Sequence, residues 1–323
     1  MKVFLTIDTE AYPLTPRWKE SQLREDLDRD VYGRCSDGEF GLKYQLQVLA
    51  HHKLTAVFFV EPLFASVPEI GIAPLRKIIS LVSEAGHDIQ LHPHPEWLAF
   101  IPNFINGRNG HLINGLSCDQ QRQVIAKGTE NLIVAGAARP CAFRAGDFAA
   151  DVTTLRALTA EGIRFDSSYN ISYLESWCRI ETVSPLVQPA QLEGIWEFPV
   201  AHFEDFPGHY RPAQLSACSD REMIFALEQA YDCHWSSFVI VSHSFELIMN
   251  RRNGQTLRAR PSAVHRFQRL CSFLDKNRDR FQTANFADLR TAEINERENL
   301  SSLRGKFFLT ARRMGEQLLD RIR

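Results

Sequence analysis

The chain has 323 residues, 44% of them hydrophobic, and a formal net charge of −2. That is enough apolar material for one large domain or two small ones, and the near-neutral balance excludes a basic field that would hold nucleic acid by its phosphates. Seven cysteines without C-x-x-C spacing predict reduced thiols, not a disulfide or zinc framework.

The opening "MKVFLTIDTE" enters an apolar run directly, with no secretory h-region. No run of about 18 uncharged apolar residues follows anywhere, so no spanning helix is expected, and the expected compartment is the cytoplasm. "VFLTID" (3–8) reads as the first strand. It ends in "TIDTE", which puts Asp8 and Glu10 on one face of an extended chain. Two acids there repel unless a cation or an arginine holds them; the alternative is a solvated strand end with a helix-capping acid. Residues 11–40, rich in charge and turn residues, read as a long loop over the mouth of the fold.

"TAVFFVE" (55–61) is the second strand and "DIQLHPH" (88–94) the third. His92 and His94 each precede a proline, which pushes both into extended backbone and projects them to similar sides. A proline-stiffened surface loop is the alternative. "CAFRAG" (141–146) ends near Arg144, placed to pair with a carboxylate, and "IRFDSS" (163–168) near Asp166, placed to orient a histidine; a structural ion pair is the alternative for both. "IWEFPV" (195–200) and "FVIVSHS" (238–244) complete the strands, the last meeting His243. Between them, "GEFGLKYQLQVLAHH", "APLRKIISLVSEAG", "SCDQQRQVIAKGTENLIVAG", "ADVTTLRALTAEG" and "SDREMIFALEQAYDCHW" carry helical spacing, several closed by glycine.

This alternation predicts β/α units around a mostly parallel sheet, closed or nearly closed into a barrel, with the site at the carboxyl ends of the strands. No G-x-G-x-x-G follows the first strand, so a dinucleotide fold has little support. Beyond about residue 290, Leu300, Leu303, Phe307, Phe308, Ala311, Met314, Leu318, Leu319 and Ile322 fall on one helical stripe, with Arg304, Lys306, Arg312, Arg313 and Arg321 around it. Such a basic amphipathic helix packs on the barrel or a second subunit, or lies on an anionic membrane.

Five strand ends thus deliver Asp8, Glu10, His92, His94, Arg144, Asp166 and His243 to one face. Two imidazoles and a carboxylate form a common ligand set for a catalytic divalent ion, and the remaining groups suit proton transfer.

In order, "TIDTE", "TAVFFV", "GHDIQLHPHPEW", "FRAGDF", "GIRFDSSYN", "WEFPV" and "IVSHSFEL" resemble the polysaccharide deacetylase family, whose catalytic unit is the NodB homology domain. The resemblance spans residues 1–290 and leaves 291–323 as a C-terminal basic amphipathic helical tail. It implies an α/β fold, a distorted (β/α) barrel. It also implies a divalent metal, zinc first with cobalt, manganese or nickel as alternatives, and hydrolysis of an acetyl group on a saccharide. By the same resemblance Asp8 is the general base, Glu10, His92 and His94 hold the metal, Arg144 holds the base, Asp166 tunes the acid and His243 is the general acid. Two departures stand out. The family's T-F-D-D has adjacent acids, whereas Thr9 separates them here; and Glu96 sits where H-[ST]-x-x-H has its second histidine, so Glu96 competes with His94 as a ligand. Oxygen donors at both 10 and 96 would favour a harder metal than zinc.

The implied reaction has Asp8 take a proton from the attacking water, a backbone N–H near Asp147 or Phe148 bind the oxyanion, and His243 protonate the leaving amine. Trp97, Trp196, Phe198 and Tyr169 are candidates to stack on sugar. A cytosolic nucleotide- or lipid-linked saccharide is the expected substrate, with peripheral membrane contact through the C-terminal helix. The alternatives are a ureide or formamide C–N hydrolase of the same fold and an inactive saccharide-binding module.

Overall fold

Alternation along the first strand already fixes two faces. In β1 (Lys2–Thr9), Val3, Leu5 and Ile7 join the apolar layer that contains the helices, while Phe4, Thr6 and Asp8 point to the other side. Six further parallel strands follow: β2 (Val57–Val60), β3 (Asp88–Leu91), β4 (Ala142–Phe143), β5 (Phe165–Asp166), β6 (Ile195–Glu197) and, later in the chain, β8 (Ser237–His243). Their order in the sheet is β8-β1-β2-β3-β4-β5-β6, each neighbour parallel. These observations come from a computed structural model, which describes residues 1–323 except 12, 14–17, 106–111, 175, 251–256, 295–299, 301 and 323.

The sheet curls into an incomplete barrel. Across its seam run isolated bridges, Val200 to Val239 and Gln214 to Val241, in place of a continuous ladder. Inside the curl Phe4, Phe59, Phe165, Phe198 and Phe286 pack ring on ring, with centroids 4.7–5.9 Å apart. They form a dry floor, and Thr6 and Asp8 stand above it on the same face of β1.

Helices α1 (Leu42–His51), α2 (Ala73–Glu84), α3 (Cys118–Ala135), α4 (Val152–Ala160) and α5 (Asp220–Asp232) occupy the five stretches of helical spacing. Capping boxes start α3 at Ser117, α4 at Asp151 and α5 at Ser219, and Gly136 ends α3 in the left-handed region (φ 108°). A sixth helix, α6 (Pro261–Lys276), was not among the expected elements, although Pro261 at its first turn and buried Phe267, Leu270, Cys271 and Leu274 give it the same signature. Residues 11–40 also depart from the expected loop. Residues 12 and 14–17 lie outside the described residues, but Glu20–Val31 is a continuous helical turn sequence that buries Trp18, Leu23, Leu27 and Val31. All seven cysteines are free.

The C-terminal helix α7 (Phe307–Ile322) lies on α5 and on strand β7 (His202–Phe206). It does not turn its apolar stripe inward as a unit. Leu309, Thr310 and Arg313 are buried, whereas Phe307, Phe308, Met314 and Leu318 are exposed; the side chains of Leu319 and Ile322 lie outside the described residues. Arg313 holds the helix down by donating to Asp205 Oδ2 (2.9 Å) and Glu222 Oε1 (3.1 Å).

Candidate active site

The carboxyl end of β1 carries Asp8, which is buried. Its Oδ1 accepts from Arg144 Nη1 (2.6 Å). Arg144, just past β4, is itself fully buried and spends its other donors on Thr6 Oγ1 (2.8 Å), Ser167 O (3.1 Å) and Ser167 Oγ (3.1 Å). The guanidinium is therefore a fixed partner, and Oδ2 of Asp8 stays turned toward His243, whose Nε2 lies 3.8 Å away. Residues 8 and 243 are neighbours because β1 and β8 pair in register at that point.

Two residues on, Glu10 Oε2 meets both His92 Nε2 and His94 Nε2 at 2.6 Å, and the two ring nitrogens are 3.3 Å apart. All three side chains are buried. The prolines act as expected: His94 is extended (φ −106°, ψ 103°), and Pro95 starts the short helix Pro95–Phe100. Gly146 permits the close approach of the ring, since a Cβ there would sit 2.9 Å from His94 Cε1 and Nδ1. Glu61, at the end of β2, accepts from the backbone N–H of His94 and of Leu63 and so ties the histidine loop to its neighbouring strand.

This cluster has the chemistry of a ligand set. His92 Nδ1 faces the carbonyl of Arg144 (2.9 Å), which can only accept, so Nδ1 carries a proton and Nε2 is the nitrogen turned on Glu10. An imidazole lone pair and a carboxylate oxygen at 2.6 Å repel unless a proton or a cation lies between them. Glu10, His92 and His94 thus fit a divalent ion. Glu96 is outside this set, its Oε2 being 3.5 Å from the opposite nitrogen, Nδ1, of His94. A second group of His94, Glu96 and Asp147 adjoins the first through that imidazole.

The acid side differs from expectation. The carboxylate on His243 Nδ1 is Glu246 (3.2 Å), not Asp166. Glu246 is in turn fixed by Gln214 (2.7 Å) and Ser216 (2.6 Å). Burial alone would lower the pKa of His243, but the hydrogen bond and charge of Glu246, with Glu10 and Asp8 beyond, hold it up to about 9. Asp166 accepts from Ser168 Oγ (2.6 Å) and faces Glu197 across the β5/β6 ladder. Burial raises both of these carboxyls, Glu197 well above its ordinary range, so the pair retains a proton. It braces the sheet one strand away from Arg144.

Around the opening stand Asp8, Glu10, His92, Ala145, Asp147, Phe148, Tyr173, Trp177, Gln214 and His243, enclosing a cleft of about 90 Å³. Asp147 (φ 55°) and Phe148 (φ 58°) both adopt left-handed backbone, a cost of about 1–2 kcal/mol each, which turns the chain sharply at the cleft wall. The amide of Phe148 is used within the turn, donating to Ala145 O (3.0 Å). Of the aromatic residues expected to meet sugar, Trp97 is instead core: it is fully buried, donates to Ala11 O (3.0 Å) and meets Trp18 edge to face. Tyr169 is likewise buried with its hydroxyl on Leu186 N (3.2 Å), Phe198 lies in the floor, and Trp196 packs against that floor. The rings at the cleft are Phe148, Tyr173 and Trp177, stacked nearly parallel at 5.7 and 5.9 Å, with Trp177 45% exposed. The "SYLESW" segment that supplies two of them has no strand or helix period, so only its aromatic content marked it.

No family model and no curated protein sequence matches the chain. Solved structures do. A "putative polysaccharide deacetylase" from Mycobacterium smegmatis superposes with a TM-score of 0.57 at 16% identity, covering 93% of each chain. A family 4 carbohydrate esterase from Streptomyces lividans, in complex with acetate, gives 0.43 at 12%, covering 88% of this chain and 91% of that one. A CE4-family pseudoenzyme from Bacillus anthracis gives 0.42 at 10%, covering 89% and 64%. At such identities the likeness is one of fold: the chain has the NodB-type fold found in polysaccharide deacetylase structures.

Proposed function

We propose that the chain is a metal-dependent deacetylase that hydrolyses an N-acetyl or related acyl group on a saccharide. The observation that carries this reading is that Asp8, held by Arg144, and His243, held by Glu246, stand beside the Glu10, His92 and His94 cluster and line one small cleft with it. Glu10, His92 and His94 would hold a divalent ion, zinc first on the basis of two imidazoles and one carboxylate. When bound, such an ion polarises the acyl carbonyl and makes water easier to deprotonate.

The residues of the chain supply the rest. Asp8, one oxygen pinned by Arg144, has Oδ2 available to take a proton from the attacking water. His243, with Nδ1–H on Glu246, is an imidazolium at neutral pH and gives its Nε2 proton to the leaving nitrogen, so that amide and water become amine and acetate. With the Phe148 amide engaged, the N–H of Asp147 is the backbone donor proposed for the oxyanion. Phe148, Tyr173 and Trp177 offer a flat apolar edge for one face of a sugar ring. For the finer identity we favour a nucleotide- or lipid-linked glycan intermediate handled in the cytoplasm; the basic C-terminal helix favours the lipid-linked form.

The test is protein purified without chelators, its metal content measured, and acyl release followed on N-acetylated saccharides. Acetate release that stops on metal removal and returns with zinc supports the reading. Formate or ammonia from ureides or formamides would replace it by a C–N hydrolase of the same fold. Saccharide binding with no acyl release from wild type, unchanged in Asp8→Asn, would replace it by a binding module.

A further inference from the structure

Of the ten large apolar side chains that are exposed among the described residues, four lie on α7: Phe307 (75% exposed), Phe308 (62%), Met314 (54%) and Leu318 (59%). With Ala311, also exposed, positions 307, 311, 314 and 318 follow one another at spacings of four, three and four and so line a single face. The opposite face is committed to the barrel. Arg313 is buried between Asp205 and Glu222, and Glu316 accepts from buried Arg266 (3.2 Å). The helix is therefore held with its apolar face outward.

Charge identifies what covers that face. The chain as a whole carries −2, yet residues 304–323 hold six arginines and lysines against two acids, and of the six only Arg313 among those with described side chains is buried. Arg304 is 84% exposed, and Lys306 reaches over the ring of Phe225 (4.3 Å) at the start of the helix. In a twofold pairing of two copies the same basic patch would face itself, setting like charges together. An anionic surface offers the complement, and α7, 16 residues long, is no spanning helix, since none among the described residues is long and apolar enough to cross a membrane. We propose that the outward face of α7 docks on an anionic lipid surface, with Phe307, Phe308, Met314 and Leu318 in the headgroup boundary and the flanking cations on the lipid charge. This inference is independent of the catalytic reading.

Deleting the helix is a poor test, because it would leave Asp205 and Glu222 buried without Arg313. Substituting the outward side chains leaves the docked face intact. Flotation of the full chain with vesicles of phosphatidylcholine, with and without phosphatidylglycerol, is compared with the triple variant Phe307→Ser, Met314→Ser, Leu318→Ser, whose melting temperature is expected to match wild type. The expected result is co-flotation of wild type with the anionic vesicles only, weakened by salt, and a drop of about tenfold or more in the variant. Arg304→Ser should weaken it about fivefold. Wild type that stays with the soluble fraction on anionic vesicles overturns the proposal, as does a triple variant that floats like wild type. So does a variant that turns a dimer into a monomer by light scattering without changing flotation. Acyl release from a soluble saccharide reports separately, so loss of either reading leaves the other standing.

Discussion

Two of the buried ionic clusters among the described residues are built on opposite principles. Under α7, Arg313 divides its guanidinium between Asp205 and Glu222, and Asp205 accepts in addition from Arg211 (2.5 Å). Every charge there has a partner within the protein. At the carboxyl end of the sheet Glu10 is wedged between two ring nitrogens, and the far nitrogen of His92 is engaged by a carbonyl. A closed cluster is scaffold; one that converges two imidazole nitrogens on a single carboxylate oxygen at the mouth of a cleft is shaped for something from outside.

Mutation can break this contrast. The largest effect is expected beside the open cluster: Asp8→Asn should lower acyl release by about 10³-fold, read from initial rates on the folded fraction, and should also lower the thermal midpoint because it leaves buried Arg144 without its carboxylate. At the closed cluster the sign of the experiment reverses. Arg313→Ala should cost about 3 kcal/mol of folding stability in urea titrations, by leaving buried Glu222 without its arginine and Asp205 with Arg211 alone, while a refolded fraction retains its metal affinity. Adding zinc to metal-free protein to about 100 times its Kd should stabilise wild type by about 2.7 kcal/mol, and Arg313→Ala by the same increment, because the clusters share no residue. Equal stabilisation in a Glu10→Gln, His92→Gln double variant would remove Glu10 and His92 from the site. Smaller still, Trp177→Ala should raise KM about tenfold with kcat nearly kept, since an exposed stacked ring contributes binding and no proton transfer.

The least effect is expected at the third buried group, Asp166 and Glu197. Burial raises both carboxyls, so the folded chain keeps a proton that the unfolded chain releases above its ordinary carboxylate range. The stability this contributes is complete below that range and is lost as pH rises toward and through the folded-state value. Glu197→Gln, which mimics the protonated acid, should flatten the dependence of the urea midpoint on pH between about 5 and 8 and match wild type or exceed it near neutrality. A variant whose stability tracks the wild-type slope would show that the pair holds no proton.

Much of this was legible in the chain. Apolar runs of strand length ending in polar residues marked all seven parallel strands, and proline after each histidine pointed to the extended backbone found at 94. The open choice between His94 and Glu96 needed the fold, because Glu96 follows Pro95 into a helical turn and lands on the far side of the imidazole. Asp166 was mistaken for the partner of His243 because a strand end announces a side chain without saying which strand is adjacent. β5 pairs with β4 and β6, whereas β8 pairs with β1. Glu246, three residues from His243 in "HSFE", carried no strand or helix period to single it out.

The sequence by itself determined which residues are extended, which are helical, and that acids, imidazoles and an arginine gather at strand ends, since local sterics and hydrophobic periodicity act over a few residues. Strand order decided the rest. Burial then separated Trp97 and Tyr169, which are core, from Tyr173 and Trp177, which face the cleft, and set Arg313 inward on a helix whose apolar stripe looks out. Whether a side chain is partnered depends on residues more than a hundred positions away, such as Arg144 to Asp8 and Arg313 to Asp205, and that pairing is a property of tertiary packing alone.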